Sequence, residues 1–189
     1  MYVVLEGIDT SGKSTQIQSL KQKFPNAIFT KEPGGTQVGL ELREIALHRQ
    51  ISPLCRTFLF LADRAEHFER IILPHNDKLI ISDRSLFSGI AYADNIDEEL
   101  LLKMNQYAIH CHIPHLVILL ELDKAELRQR LSQKIPDRIE ECGVEKLLYI
   151  QARIKKFIKK LNCPCVCISS SESKERITEL ITKKIKELT

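Results

Sequence analysis

Residues Gly7-Ile8-Asp9-Thr10-Ser11-Gly12-Lys13-Ser14-Thr15 contain the pattern G-x-x-x-x-G-K-[ST] without a mismatch, and they follow directly on the apolar run Tyr2–Leu5. Few short patterns restrict a fold as strongly. The glycines let backbone N–H groups turn inward around an anion, Lys13 reaches it as a point charge, and Ser14 presents a hydroxyl to a divalent cation. The helix expected from Lys13 onward aims its positive end at the same point. All nine residues are therefore candidates for holding the phosphates of a nucleoside triphosphate. The required local order is strand, tight loop, helix.

The rest of the chain repeats that order. Tyr2–Leu5, Ala27–Phe29, Lys78–Ser82, Leu116–Leu122 and Val166–Ser169 read as five strands. Helical patterns cover Lys13 to Phe24, Gln37 to Leu47, Leu54 to Leu73 (stopped by Pro74), Glu98 to Cys111, Gly143 to Leu161 and Glu172 to Leu188. Near-continuous apolar strands alternating with helices predict an α/β three-layer fold: a five-stranded parallel sheet with helices on both faces. The 189 residues suit one domain, residues 1–189. In such sheets ligands gather beyond the carboxyl ends of the strands, so the residues just after each strand are the candidate site.

Composition narrows the partners. A net charge of +3 is too small an excess to indicate a general nucleic-acid binder. The opening Met-Tyr-Val-Val-Leu-Glu has no basic leader, and no apolar run approaches the roughly 18 residues a membrane span needs, so a cytoplasmic protein without membrane contact is expected. Six cysteines include no Cys-x-x-Cys pair. Cys163, Cys165 and Cys167 would share one face of a strand as buried thiols; a metal site with Cys111, His110 and His112 is the alternative, with a spacing unlike common zinc patterns. No Asn-Lys-x-Asp guanine-reading tetrad occurs, which argues against a regulatory GTPase.

After the second strand comes Thr30-Lys31-Glu32-Pro33-Gly34-Gly35-Thr36, a polar turn entering a helix at Thr36. The third strand ends in Asp83-Arg84, a carboxylate that can face the magnesium shell beside an arginine that can pair with phosphate. Arg43 and Arg64 sit in amphipathic helices and read equally as solvated charges. Taken in order with Leu42-Arg43, Phe58-Leu59-Phe60-Leu61-Ala62-Asp63-Arg64, Ser88, Ala91-Tyr92 and Asp137-Arg138-Ile139-Glu140, these pieces make the chain resemble the thymidylate kinases along nearly its whole length. Lys31 stands where that family has arginine, and Ser85, Ile90 and Ala93 depart from it around the base pocket.

The resemblance implies transfer of the ATP γ-phosphoryl group to dTMP with Mg2+, in a homodimer. It implies that Phe60 stacks on thymine, Arg64 hydrogen-bonds its carbonyl, Arg43 and Arg84 hold the acceptor phosphate, and Asp9 reaches the sugar hydroxyl. Tyr92 would lie beside the sugar 2′ carbon, Ser88 would support the base pocket, and Glu32 and Pro33 would line it. Ser14 and Asp83 are the magnesium candidates. The loop positions Asp9, Thr10 and Ser11 carry no basic side chain, so the charge that develops in phosphoryl transfer must be met from elsewhere. Leu127 to Arg138 supplies it: Arg130, Lys134 and Arg138 join Lys13, Asp9 and Arg84 as the catalytic candidates, with Arg153 as a further phosphate contact. Pro136 makes continuous helix unlikely there. This stretch resembles the mobile lid of the bacterial subclass with a lid arginine, here about residues 128–142. Ser169 to Ser171 lie where such folds bind adenine, or form a polar turn. A kinase for another small acceptor is the runner-up, and a slow nucleotide-hydrolysing module the alternative from another class.

Overall fold

The computed structural model describes residues 1–93, 96–133 and 143–188. Strands β1 (Tyr2–Glu6), β2 (Ile28–Lys31), β3 (Ile80–Asp83), β4 (Leu116–Glu121) and β5 (Cys165–Ser169) form one sheet in the order β2-β3-β1-β4-β5. Every neighbouring pair is parallel, with Val4 of β1 opposite both Ser82 and Val117. The three-layer α/β architecture expected from the alternation is the one observed.

Strand periodicity explains why these segments are apolar at successive positions. Tyr2, Val4, Ile80, Val117 and Leu119 point into one core, which also holds Phe87 and Ile90 of α4 (Leu86–Tyr92), Leu101 of α5 (Glu98–Ala108) and Ile154 and Phe157 of α7 (Gly143–Lys160). Val3, Leu5, Ile81, Ile118 and Leu120 point the other way, onto Leu20 of α1 (Lys13–Lys23) and Ile177, Ile181 and Ile185 of α8 (Lys174–Lys186). A strand covered on both faces has no side left for polar residues. Helices α2 (Gln37–His48) and α3 (Pro53–His67) pack on each other, and α3 also meets α4 and α5. Thr36 caps α2 by accepting from Gly39 N at 2.9 Å, and Ser52 caps α3, with Pro53 at its first position.

The structure corrects several boundaries. The helix expected over Leu54 to Leu73 leaves α-geometry at Phe68, where a π-helical turn (Phe68–Ile72) and a 3-10 turn (Leu73–His75) carry it past Pro74. Helix α4 was not expected; its seven residues are mostly buried, so no amphipathic period betrays it. Helix α6 (Lys124–Ser132) occupies the beginning of the expected lid, started by Asp123 accepting from Glu126 N at 2.8 Å. Residues 134–142, with Lys134, Pro136 and Arg138, lie outside the described residues. Cys163 is buried, but Cys165 and Cys167 are exposed, because β5 is an edge strand.

Candidate functional site

The phosphate loop closes tightly on itself. Gly7 has φ 150°, and a Cβ there would lie 2.6 Å from Ser11 Oγ and 2.7 Å from the Leu120 carbonyl. Gly12, at φ 93°, starts α1 from the left-handed region. Ile8 and Ser11 are buried beneath the loop, while Asp9, Thr10, Gly12, Lys13, Ser14 and Thr15 line a cavity of about 710 Å³. Lys13 Nζ donates to the carbonyls of Gly7 (2.8 Å) and Ile8 (3.0 Å). Burial, and then the neighbouring Arg84 charge, bring its pKa down to about 8 against the pull of Asp83, Asp9 and Glu6. The charged form is the one a phosphate needs. We therefore expect kcat/KM for ATP, which reports the free enzyme, to fall as pH rises through about 8, with kcat flatter because bound phosphates favour the cation. A pH profile of both constants checks this.

Arg84, at φ 70°, turns back from the end of β3 over the loop. Its Nη1 donates to Ser88 Oγ (2.9 Å) and Gly7 O (3.2 Å), and its Nη2 pairs with Asp9 Oδ1. Tyr92 donates from its hydroxyl to Asp9 Oδ2 at 3.0 Å, and its ring lies under the Arg84 guanidinium. Burial alone would raise the Asp9 pKa; Arg84 and Lys13 outweigh it and hold the carboxyl below its ordinary value. Asp9 is thus an ionised group at the centre of the site.

A second cavity, of about 550 Å³, shares Asp9, Glu32, Arg43 and Arg84 with the first, so the two meet at these four charged side chains. Pro33, Phe60, Arg64, Ser88 and Tyr92 all line it, together with Gly89. The sequence-predicted acceptor residues, drawn from five separate stretches of chain, are brought together here. Arg43 Nη1 is held by the Pro33 carbonyl at 2.9 Å. Arg64 is buried and anchored by Glu32 Oε2 from Nε (2.9 Å), by Asn105 Oδ1 from Nη1 and by the Ser85 carbonyl from Nη2 (3.2 Å). Each Nη carries a second N–H beyond these bonds, and Arg64 lines the cavity. Glu32, expected to line the pocket, does so with both oxygens engaged, the second by His67 Nδ1 at 2.9 Å. Ser88, expected to support the base pocket, also joins Arg84 to Glu6 through its hydroxyl.

Sequence reasoning missed Glu6, Asp63, His67, Gly89 and Asn105. Glu6 carried a signal, a carboxylate ending an otherwise apolar strand. Asp63 accepts from Gly34 N at 2.9 Å, and His67 bridges Glu32 to Thr30 Oγ1; on amphipathic helices such polar residues look like solvated ones. Gly89 is required by the close approach of Arg64: an added Cβ would lie 2.8 Å from Nη1 and 2.9 Å from Cζ. Gly89→Ala is expected to raise KM for the ligand of this second cavity about tenfold and to cost about 1–3 kcal/mol of stability through overpacking, measured by steady-state kinetics and denaturant titration.

Two expected site groups differ in placement. Arg130 Nη1 donates to Thr10 O (2.8 Å) and Nη2 to Ser170 O (2.5 Å) with Glu126 alongside, and the side chain lines the phosphate cavity. Arg153 instead is buried against the Ala93 carbonyl (3.0 Å) and stacks near Tyr149 and Phe157, away from that cavity's lining. Ser170 Oγ donates to the Ser11 carbonyl at 2.9 Å, tying the turn after β5 to the phosphate loop. The residues present fit a magnesium ion held mainly by phosphates: Asp83 Oδ1 is buried with no hydrogen-bond partner among the described residues, Ser14 is exposed, and both line the same cavity.

Comparison with known proteins agrees with this geometry. The thymidylate kinase family model matches residues 5–181. The chain is 51% identical to a thymidylate kinase of Aliarcobacter butzleri over 96% of both chains, and 53% identical to one of Wolinella succinogenes over 94% of both. A crystal structure of thymidylate kinase from Ehrlichia chaffeensis superposes with a TM-score of 0.77 at 25% identity, covering 98% of each chain. A phosphate loop opening into a second, arginine-walled cavity, in a chain matched over nearly its whole length at this identity, leads to one conclusion: the chain belongs to the thymidylate kinase family.

Proposed function

We propose that the two joined cavities hold the donor and acceptor nucleotides at once, with Asp9, Arg43 and Arg84 at the junction where the phosphoryl group passes. The chain is an ATP:dTMP phosphotransferase; it moves the γ-phosphoryl group of ATP to a phosphate oxygen of dTMP, giving dTDP and ADP. The observation that carries the division of labour is the sharing of those charged residues by both cavities. The backbone of residues 7–15 and Lys13 hold the ATP phosphates. Phe60 stacks on thymine, Arg64 donates to its carbonyl, and Tyr92 and Asp9 meet the sugar. Arg43 and Arg84 hold the dTMP phosphate, which is already anionic and needs little help from a base. Mg2+, held by Ser14 and near Asp83, would supply charge neutralisation to the phosphates of ATP. Closing the site against water prevents its acting as the acceptor.

Arg130, with Lys134 and Arg138 from the proposed lid at about 128–142, supplies the cations for the transferring group. The hold of Arg130 on the Thr10 carbonyl beside the loop supports its part. Arg130→Ala is expected to lower kcat by about 10²- to 10³-fold with little change in KM for dTMP, in a coupled ADP-release assay with dTMP, dUMP, dCMP, thymidine and no acceptor. Turnover independent of the acceptor would overturn the assignment of the second cavity.

The reading includes a single domain and a homodimer. Support for the latter is an apolar groove of about 560 Å³ between α3 and α5, lined by Leu61, Ala65, Met104 and the exposed Tyr107, with Leu54 and Phe58 exposed further along α3. Light scattering of the purified protein tests it. Among the described residues no helix is long and apolar enough to cross a membrane. Work in the cytoplasm, without nucleic-acid partners, completes the proposal.

A further inference from the structure

Glu6 is a buried carboxylate at the foot of the site without a place in the scheme above. It ends β1, is fully buried, and stands directly before the phosphate loop. Its oxygens are met by hydroxyl and amide donors: Ser85 Oγ (2.8 Å) and Ser88 N (3.3 Å) on Oε1, and Ser88 Oγ (2.5 Å) on Oε2. A carboxylate accepts only, so it forces the Ser88 hydroxyl proton toward itself and leaves the oxygen lone pairs facing Arg84 Nη1, which donates to them at 2.9 Å. On the other side, Glu6 fixes the side chain of Ser85, whose carbonyl accepts from Arg64 Nη2. One buried charge thereby orients the anchors of both arginines.

We propose that Glu6 is a positioning residue for the acceptor site, setting the phosphate-holding Arg84 through Ser88 and the base-reading Arg64 through Ser85. The inference rests on the assignment of those two arginines to dTMP. Burial raises the pKa of Glu6 against the pull of the Ser88 and Ser85 donors and of the Arg84 charge, so the charge is costly where it stands. Through these two serines it joins the two ends of the acceptor cavity. Replacing it by glutamine keeps the shape but puts an NH2 where an acceptor is needed. If that NH2 faces Ser88 Oγ, the hydroxyl receives two donors and must send its own proton elsewhere; if it faces Ser85 Oγ and Ser88 N, the Ser85 hydroxyl must turn to accept and the Ser88 N–H is left facing a donor.

The test is steady-state kinetics and thermal unfolding of Glu6→Gln, Ser85→Ala, Ser88→Ala, Glu6→Gln/Ser88→Ala and, as a reference, Arg84→Ala. Glu6→Gln is expected to lower kcat/KM for dTMP roughly tenfold to a hundredfold, to leave KM for ATP within about twofold, and to narrow the preference for dTMP over dCMP. Its effect should shrink when Ser88 is already alanine, because the two act through one hydroxyl. Wild-type dTMP kinetics in Glu6→Gln would overturn the proposal. So would an equal loss for ATP and dTMP that tracks a lowered melting temperature, or full additivity with Ser88→Ala. If Glu6→Gln does not fold, the serine variants decide: unaltered dTMP kinetics in both Ser85→Ala and Ser88→Ala overturns it. An Arg84→Ala enzyme that handles dTMP normally overturns the underlying assignment and the inference together. An impaired Arg84→Ala beside an unimpaired Glu6→Gln overturns the inference alone.

Discussion

Lys13→Ala is expected to reduce kcat for dTMP phosphorylation by about a thousandfold or more while the protein stays folded. Lys13 Nζ is buried, 2.8 and 3.0 Å from two loop carbonyls, at the head of α1 and on the wall of the phosphate cavity. In phosphoryl transfer little covalent chemistry falls to the protein, so the loss of a positioned charge removes a large part of what it contributes. Lys13→Arg should rescue little, because a planar fork cannot occupy the space of a compact ammonium. The coupled assay measures the loss, and circular dichroism verifies the fold. A variant within tenfold of wild type would show that the charge is supplied from elsewhere, with Arg84 and Arg130 the neighbours to examine.

Glu32→Ala is expected to cost about 3–5 kcal/mol of stability, lowering the melting temperature by about 10 °C or more, because it leaves Arg64 charged and buried without its carboxylate. The same substitution frees His67 and, through Arg64, loosens the base-reading end of the acceptor cavity, so KM for dTMP should rise. Its pH dependence has a definite sign. Burial would raise the Glu32 pKa, but Arg64 and then His67 outweigh it and hold it below the ordinary 4.5. The folded state therefore binds its proton less readily than the unfolded chain. The stability Glu32 contributes is present above about pH 4.5 and is lost as pH falls through the depressed folded value. Glu32→Ala should lack that part of the acid slope. Chemical denaturation from pH 3 to 7 compares the two proteins; parallel curves would show that Glu32 binds its proton equally in the folded and unfolded states.

Most of the fold was legible because its signals are local. The apolar runs of β1 and β4 are unbroken for a reason visible in any strand covered twice, and the loop between β1 and α1 is written in consecutive residues. The acceptor arginines were legible as candidates but not as a site. Arg43 and Arg153 look alike in sequence, both basic residues on amphipathic helices. One reaches the junction of two cavities, and the other is buried under Ala93. Glu32 was expected at the pocket, and its carboxylate is spent on Arg64 and His67, which no spacing in the chain announces. Helices α4 and α6 escaped notice for the opposite reasons, one too buried to show a period and the other too polar.

By itself the sequence determined the layer order of the fold, the anion loop and the family, since strand period, glycine placement and a lysine at a helix start act over a few residues. Only the tertiary structure decided which charges face ligand and which face each other. That choice depends on contacts such as Glu6 with Ser88, Arg64 with Asn105 and Asp9 with Arg84, made by residues 41 to 82 positions apart. Burial sets the worth of each of these contacts, and burial is a property of the packed sheet and helices, not of any stretch of chain.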